Sequence, residues 1–186
     1  MYAIRIKTRR AEGEYDLGAS KMLGNPVLPE SIMNELPETA AFLMQIRLED
    51  IKDLDVDNLL PHTGYLYFFL DVEDGLYSMK PIVKYTTEEP TTHVDGFNDI
   101  VEGFENYNHD FLIEFEKCDE FDEGNKLLGR PNDWQYAQEP EQLLLQIDPL
   151  ADPEMGLLDY LDGFLYFFFG EDMRDFSQVQ FVEDIS

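Results

Sequence analysis

Two aromatic stretches constrain the fold of this chain more than any other feature of its sequence. Residues 64–70 read GYLYFFL and residues 163–169 read GFLYFFF. Each begins at a glycine and continues as six large apolar residues of the kinds that favour strands, and each is too short to span a membrane as a helix. We therefore predict two buried strands of nearly identical sequence, 99 residues apart.

Two further motifs occur in both halves of the chain, in the same order. KMLGNP at 21–26 is matched by KLLGRP at 126–131, and FLMQI at 42–46 is matched by LLLQI at 143–147. The offsets between the matched motifs are 105, 101 and 99 residues, a drift that small deletions in loops would produce. The three matches indicate an internal duplication, with pseudo-repeats at about residues 20–86 and 125–182.

The first forty residues predict a strand followed by loops. Residues 2–7 alternate, with Ile4 and Ile6 on one side and basic side chains on the other, as in a half-exposed strand. This basic strip is suited either to acidic neighbours within the chain or to a partner protein. Residues 21–37 are interrupted by prolines, and so predict extended loops and turns rather than a helix.

Local patterns predict the elements that connect these motifs. Residues 48–54 predict one or two helical turns, and Asp74-Gly75 predicts the turn of a hairpin into a strand at 81–85. Apolar residues at helical spacing predict a short amphipathic helix over 97–104, and residues 111–116 alternate as a strand.

The overall composition is that of a folded protein. Apolar residues make up 44% of the chain and aromatic residues 13%, which excludes a disordered chain. No low-complexity linker separates the halves, so we predict one domain over residues 1–186 with an α+β fold that is mainly β. The start of the chain has no apolar leader, and there is one cysteine, so we expect a reducing, cytoplasmic location without a membrane segment.

The net charge of −27 is the extreme property of the sequence, and it is unevenly distributed. Residues 1–48 carry six basic and six acidic side chains, whereas residues 49–186 carry seven basic and 34 acidic ones. Direct nucleic-acid binding is not expected, because phosphate binding needs a basic surface. A partner would be a basic protein, whereas the plain alternative is that the charge only keeps the chain soluble.

The sequence contains no recognisable catalytic, metal or cofactor motif, and we expect no cofactor. The three histidines, His62, His93 and His109, lack metal-ligand spacing, and we interpret His62 as a turn residue with local hydrogen bonds. Cys118 lies among acidic residues that would raise the pKa of its thiol, which makes it a poor nucleophile. The acidic run at 71–75 lacks a calcium-loop pattern and is interpreted as a solvated turn.

Four residues are candidates for a binding site. Gln45 and Gln146 interrupt apolar strands at matching positions, so each amide either binds a neighbouring loop backbone or faces a groove shared by the two halves. Trp134, with Tyr136 close by, is either an anchor for a partner or a cap on the edge of the core.

Taken together, these motifs resemble the YwqG-like family of bacterial proteins. The resemblance rests on the two Lys-x-Leu-Gly-x-Pro loops, the two Gln-Ile strands and the two Gly-x-Leu-Tyr-Phe-Phe strands, which span nearly the whole chain. It implies a duplicated, mainly β or α+β fold that is similar to the programmed cell death 2 proteins, chaperones of a basic ribosomal protein. Bacterial members resemble, by association, immunity proteins against secreted toxins.

These observations favour a non-enzymatic, protein-binding function. We expect an acidic module that engages a basic partner, either a toxin domain or a ribosomal protein. The alternatives are a metal-assisted hydrolase that uses convergent carboxylates, and a soluble domain without a basic partner.

Overall fold

The computed structural model describes residues 2–73, 78–105, 108–133, 135–136, 141–157 and 161–185. Two features predicted from the sequence, the turn at Asp74-Gly75 and the side chain of Trp134, lie outside these residues.

The described residues form twelve β-strands and one α-helix. The strands are β1 Tyr2–Arg10, β2 Lys21–Met22, β3 Val27–Leu28, β4 Ala40–Arg47, β5 Tyr65–Asp71, β6 Lys80–Thr86, β7 Thr92–His93, β8 Phe111–Asp119, β9 Lys126–Leu127, β10 Leu143–Ile147, β11 Phe164–Phe168 and β12 Gln180–Asp184. The helix, α1, is Glu30–Glu35. The fold is therefore mainly β, as predicted, and within this part of the chain no helix has the length and apolar character to cross a membrane.

Ten of the strands form a single antiparallel sheet in the order β12-β11-β10-β9-β1-β8-β2-β4-β5-β6. The two long strands β1 and β8 lie at its centre, and a short strand followed by three longer ones flanks them on each side. β1, from the N-terminal half of the chain, pairs with the short strand β9 of the C-terminal half. β8, from the C-terminal half, pairs with the short strand β2 of the N-terminal half. The remaining strands, β3 and β7, form a separate two-stranded sheet.

The main core lies on the inner face of the large sheet. Alternation in β5 directs Leu66, Phe68 and Leu70 into this core, and β11 contributes Leu165 and Phe167 in the same way. The rings of Phe68 and Phe167 meet edge to face with their centroids 5.6 Å apart, so the two aromatic strands join the halves of the molecule. The sheet nearly closes, because Tyr85 of β6 approaches Phe176, which precedes β12, to 6.0 Å between ring centroids.

Two smaller clusters cover the outer face, which explains why the aromatic strands are apolar on both sides. In the first half, Tyr65, Tyr67 and Phe69 pack with Leu28 and with Ile32 of α1. In the second half, Tyr166 and Phe168 pack with Leu143 and the partly buried Tyr136. The predicted buried strands and the antiparallel pairing of β5 with β6 are confirmed.

Two local predictions were wrong. Residues 97–104 form consecutive turns rather than a helix, since Val101 N–H donates to Asn98 O and Phe104 N–H to Val101 O. Val101 and Phe104 are each buried in the main core, whereas Ile100 is exposed. The proline-rich segment does contain a helix, because Pro29 serves as the N-cap of α1, a terminus at which no intrahelical N–H donor is needed.

Candidate functional site

The matched Lys-x-Leu-Gly-x-Pro motifs form tight loops with two successive left-handed residues. Leu23 and Gly24 have φ of 59° and 69°, and Leu128 and Gly129 have φ of 62° and 78°. A left-handed leucine is unfavourable, but Leu23 and Leu128 are 1% and 2% exposed, so burial of their side chains offsets the strain. The backbone N–H of each leucine donates to a neighbouring strand, Leu23 N–H to Leu43 O at 2.7 Å and Leu128 N–H to Leu144 O at 3.1 Å.

Gln45 and Gln146 attach these loops to the sheet. The Gln45 side chain accepts from Val27 N–H at 2.9 Å and donates to Ala19 O at 3.0 Å. The Gln146 side chain accepts from Asn132 N–H at 3.0 Å and donates to Gly124 O at 2.8 Å.

The structural interpretation of the two glutamines is confirmed, since both are buried and both bind loop backbone. Each amide bonds to its own half of the chain, and these contacts do not favour a groove shared by Gln45 and Gln146.

Two lysines that the sequence did not single out lie beside the glutamines. Lys21 and Lys126 are fully buried. Lys21 Nζ bonds to Asp110 Oδ1 at 3.0 Å and to Asn25 O, whereas Lys126 Nζ donates to Glu120 O at 3.0 Å and Asp122 O at 2.6 Å. Burial lowers the pKa of Lys126 to about 8. Their matching positions in the repeated motif were the signal that could have identified them.

Tyr136 caps the outer cluster of the second half. Its ring lies 5.3 Å from that of Tyr166, whose hydroxyl donates to Asn132 Oδ1 at 2.8 Å. Burial raises the pKa of Tyr136, with further contributions from Asp184 and Asp133. Tyr136 therefore lies at the edge of the core, and a role as an anchor for a partner stays a prediction.

The basic strip of β1 pairs with acidic neighbours within the chain, which is one of the two interpretations that the sequence allowed. Arg5 bonds to Glu116 at 2.7 Å and to Asp122, and Lys7 bonds to Glu116 at 2.7 Å. Ile4 and Ile6 lie on the opposite side of β1, in the main core. This strip is consequently a support for the centre of the sheet.

A groove of about 970 Å³ lies along β1 on the side that faces β9. The strand itself contributes four basic side chains, Arg5, Lys7, Arg9 and Arg10. The opposing wall contributes Glu123, Asp152 and Glu154, and Glu12 lies at the end of the strand. Open clefts of this volume are of the size that accommodates ligands. We take this groove as the candidate functional site.

A hydrogen bond across the groove fixes its shape. Thr8 Oγ1 donates to Asp152 Oδ2 at 2.7 Å, and Asp152 Oδ1 accepts from Glu154 N–H at 3.1 Å. Both of these donors to the Asp152 carboxylate are neutral. Sequence analysis missed this pair, because 144 residues separate Thr8 from Asp152 and neither belongs to a repeated motif.

The side chains considered for chemistry lie apart from one another. His62 binds Asp55 at 3.1 Å, which confirms its local role, and His93 and His109 contact Asp95 and Arg10. Burial raises the pKa of Cys118 to about 11, with a smaller contribution from Asp122; the predicted direction is confirmed, but burial is the larger cause. Within the described ranges, no three histidine, cysteine or acidic side chains form a group that could hold a metal ion.

One comparison with known proteins gives a match. Residues 20–94 match the model of a domain of unknown function, DUF1963. This segment contains the first tight loop, Gln45 and the aromatic strand β5, and it starts where the first pseudo-repeat is predicted to start. The comparison with curated proteins found no match. The match covers 75 of the 186 residues and assigns this segment no activity.

Proposed function

We propose that this chain is an acidic, cytoplasmic protein-binding module of the YwqG-like type that engages a basic partner. The observation that carries the proposal is where its positive charges lie. At least seven of the thirteen basic side chains already form ion pairs within the chain. The acidic excess that gives the charge of −27 is left for external cations.

The arrangement of the sheet supports the proposed internal duplication. The order of strands is the same on both sides of the β1–β8 pair. The register of that pair is also symmetric, since Ile4 lies opposite Lys117 and Phe111 lies opposite Arg10, with 107 residues between equivalent positions. Gln45 and Gln146 bond to loop atoms at equivalent places, which adds a third correspondence. A duplicated binding module of this kind is what the YwqG-like resemblance implies.

The candidate partners are a basic toxin domain and a basic ribosomal protein. Both would approach an acidic surface by electrostatic steering, which gives fast association that weakens as salt shortens the Debye length to about 8 Å at physiological ionic strength. The groove offers such a partner an acidic wall next to exposed backbone of a central strand.

A pull-down with the purified protein from its own cell lysate tests this proposal. We expect one basic protein to be retained at about 50 mM salt and released at about 500 mM, because the interaction is mainly electrostatic. The triple variant Glu123→Gln, Asp152→Asn, Glu154→Gln should retain much less of it. Retention of nothing, or retention unaffected by salt, would contradict the proposal.

A second triple variant controls for net charge in this experiment. Glu30→Gln, Glu38→Gln, Asp53→Asn removes the same number of charges from exposed positions outside the groove lining. We expect the control to retain the partner nearly as well as the wild type. Equal loss in both variants would show that the partner responds to total charge and not to this wall.

A further inference from the structure

Within the part of the chain that the structure describes, the backbone of β1 directs hydrogen-bonding groups without a strand partner towards the groove. Thr8 lies opposite Ile113 of β8, but Ile113 N–H donates to Ser20 O at 3.0 Å on the other side of β8. Thr8 and Ile113 are thus a non-hydrogen-bonded pair. The N–H and C=O of Thr8 point away from β8, towards the groove.

The neighbouring residues show the same alternation. Ile6 N–H donates to Asn125 O at 2.9 Å on the β9 side, whereas Ala11 N–H donates to Asp110 O at 2.8 Å on the β8 side. Even-numbered residues of β1 therefore direct their backbone groups towards β9. Arg10 belongs to this set with Thr8.

The short length of β9 leaves this edge open. β9 consists of Lys126–Leu127, and it pairs with β1 only at Ile4 and Arg5. Among the residues that the structure describes, no strand pairs with residues 7–10 on this side. Four residues of strand correspond to about 14 Å, and an open edge of this kind is a template for another strand.

We propose that the groove binds an extended, basic segment of a partner protein, which adds to β1 as a strand and bonds to the backbone of Thr8 and Arg10. This inference rests on the proposed function and specifies its mode of recognition. Main-chain hydrogen bonds would supply affinity, and the side chains on the walls would supply selectivity.

The charges around the groove favour a basic segment over an acidic one. Three of the four cations on β1 form ion pairs with Glu114 and Glu116 of β8 or with Asp122. On the opposing wall, the carboxylate of Asp152 accepts from two neutral donors, Thr8 Oγ1 and Glu154 N–H. Cations on an incoming segment would therefore find uncompensated carboxylates beside the free edge.

A second copy of this chain is a poorer occupant. It would bring another charge of −27 towards a wall that is already acidic, and like charges oppose such an approach. The proposal therefore commits to a different protein with a basic segment.

Binding of a defined peptide tests the proposal. The probe is acetyl-Lys-Val-Lys-Val-Lys-Val-Lys-amide, titrated into the full chain by calorimetry at about 50 mM salt. We expect saturable binding at one site, about tenfold weaker at about 500 mM salt. The same peptide with glutamate in place of lysine should not bind. The lysine peptide with every amide N-methylated should not bind either, because it cannot donate backbone hydrogen bonds.

Two substitutions of Thr8 separate the backbone from the side chain. Thr8→Pro removes the N–H that faces the groove and leaves the β1–β8 bonds intact, whereas Thr8→Val removes only the hydroxyl bond to Asp152. We expect at least about tenfold weaker binding for Thr8→Pro and less than about threefold weaker binding for Thr8→Val. Circular dichroism of both variants checks their fold.

Three outcomes would overturn strand addition: no binding of the lysine peptide, equal binding of the N-methylated peptide, or full binding by a folded Thr8→Pro variant. The peptide comparison uses the wild-type protein, so it decides the matter even if Thr8→Pro does not fold. A partner that is retained in the lysate by the wild type and equally by Thr8→Pro would leave the proposed function standing and remove only this mode of binding.

Discussion

Replacing Gln45 with leucine should strongly destabilise the protein, although the volume of the side chain hardly changes. The substitution leaves Val27 N–H without its acceptor and Ala19 O without its donor, at 2.9 and 3.0 Å in the wild type. Val27 is completely buried, so water cannot replace the lost acceptor. Each buried backbone group without a partner costs about 1–3 kcal/mol, and Ala19 is only partly buried, so we expect a loss of about 3 kcal/mol.

Urea denaturation followed by far-ultraviolet circular dichroism measures this loss. For an m-value of about 2 kcal/mol per molar, the midpoint of Gln45→Leu should fall by about 1.5 M. Gln146→Leu removes the equivalent bonds to Asn132 N–H and Gly124 O, so it should lose a similar amount. Gln180→Leu, at an exposed position of β12, is the control and should change stability by less than about 0.5 kcal/mol.

The reasoning is refuted if Gln45→Leu is no less stable than Gln180→Leu. Such a result would mean that the loop backbone finds other partners, and that the matched glutamines do not hold the loops on the sheet. A loss in Gln45→Leu alone would show that the two halves depend on their glutamines to different extents.

Three further predictions concern ionisation and close contacts. The pKa of Lys126 is about 8 in the folded protein and about 10.5 in the unfolded chain, so the unfolded chain binds more protons between these pH values. The unfolding free energy of the wild type, measured relative to that of Lys126→Met, should therefore rise by about 3 kcal/mol from pH 8 to 10.5. Parallel curves of unfolding free energy against pH for the two proteins would contradict this. Cys118, with its thiol pKa raised to about 11, should react with iodoacetamide at pH 8 at least about tenfold more slowly in the native than in the urea-unfolded protein. Gly163→Ala places a Cβ 1.6 Å from Asp184 O and should lower the unfolding free energy by more than about 2 kcal/mol in urea denaturation. In the control, Gly13→Ala, the Cβ meets open space, and the positive φ alone should cost about 1 kcal/mol. Equal losses of unfolding free energy would rule out the contact with β12.

Local patterns predicted most strands correctly, because hydrophobic alternation and aromatic runs depend on neighbours in the sequence. The strand at the start of the chain, the buried strands β5 and β11, and the hydrogen-bonding role of Gln45 all follow from such patterns. The pattern failed at 97–104, where helical spacing of apolar residues produced a series of turns. There the backbone path is set by contacts with distant strands, since Asn98 Oδ1 accepts from Phe42 N–H at 2.8 Å.

The candidate site depended on contacts that no local pattern reports. The groove exists because β1 pairs with β9 for two residues and then continues alone, while Asp152 reaches across to Thr8. Sequence analysis placed a basic strip at this strand but did not place the acidic wall opposite it. The candidates Gln45, Gln146 and Tyr136 instead lie at buried or partly buried positions that support the sheet and its outer face.

The sequence by itself determined most of the longer strands, the repeated Lys, Gln and aromatic positions, and the charge of −27, since each of these is a property of composition or of spacing along the chain. Only the tertiary structure decided that β1 and β8 cross over to the opposite halves. The physical reason is that all strand edges present similar backbone hydrogen-bonding groups, so local sequence does not specify which distant strand a given strand pairs with. The short pairing of β1 with β9 leaves one edge of β1 open beside an acidic wall.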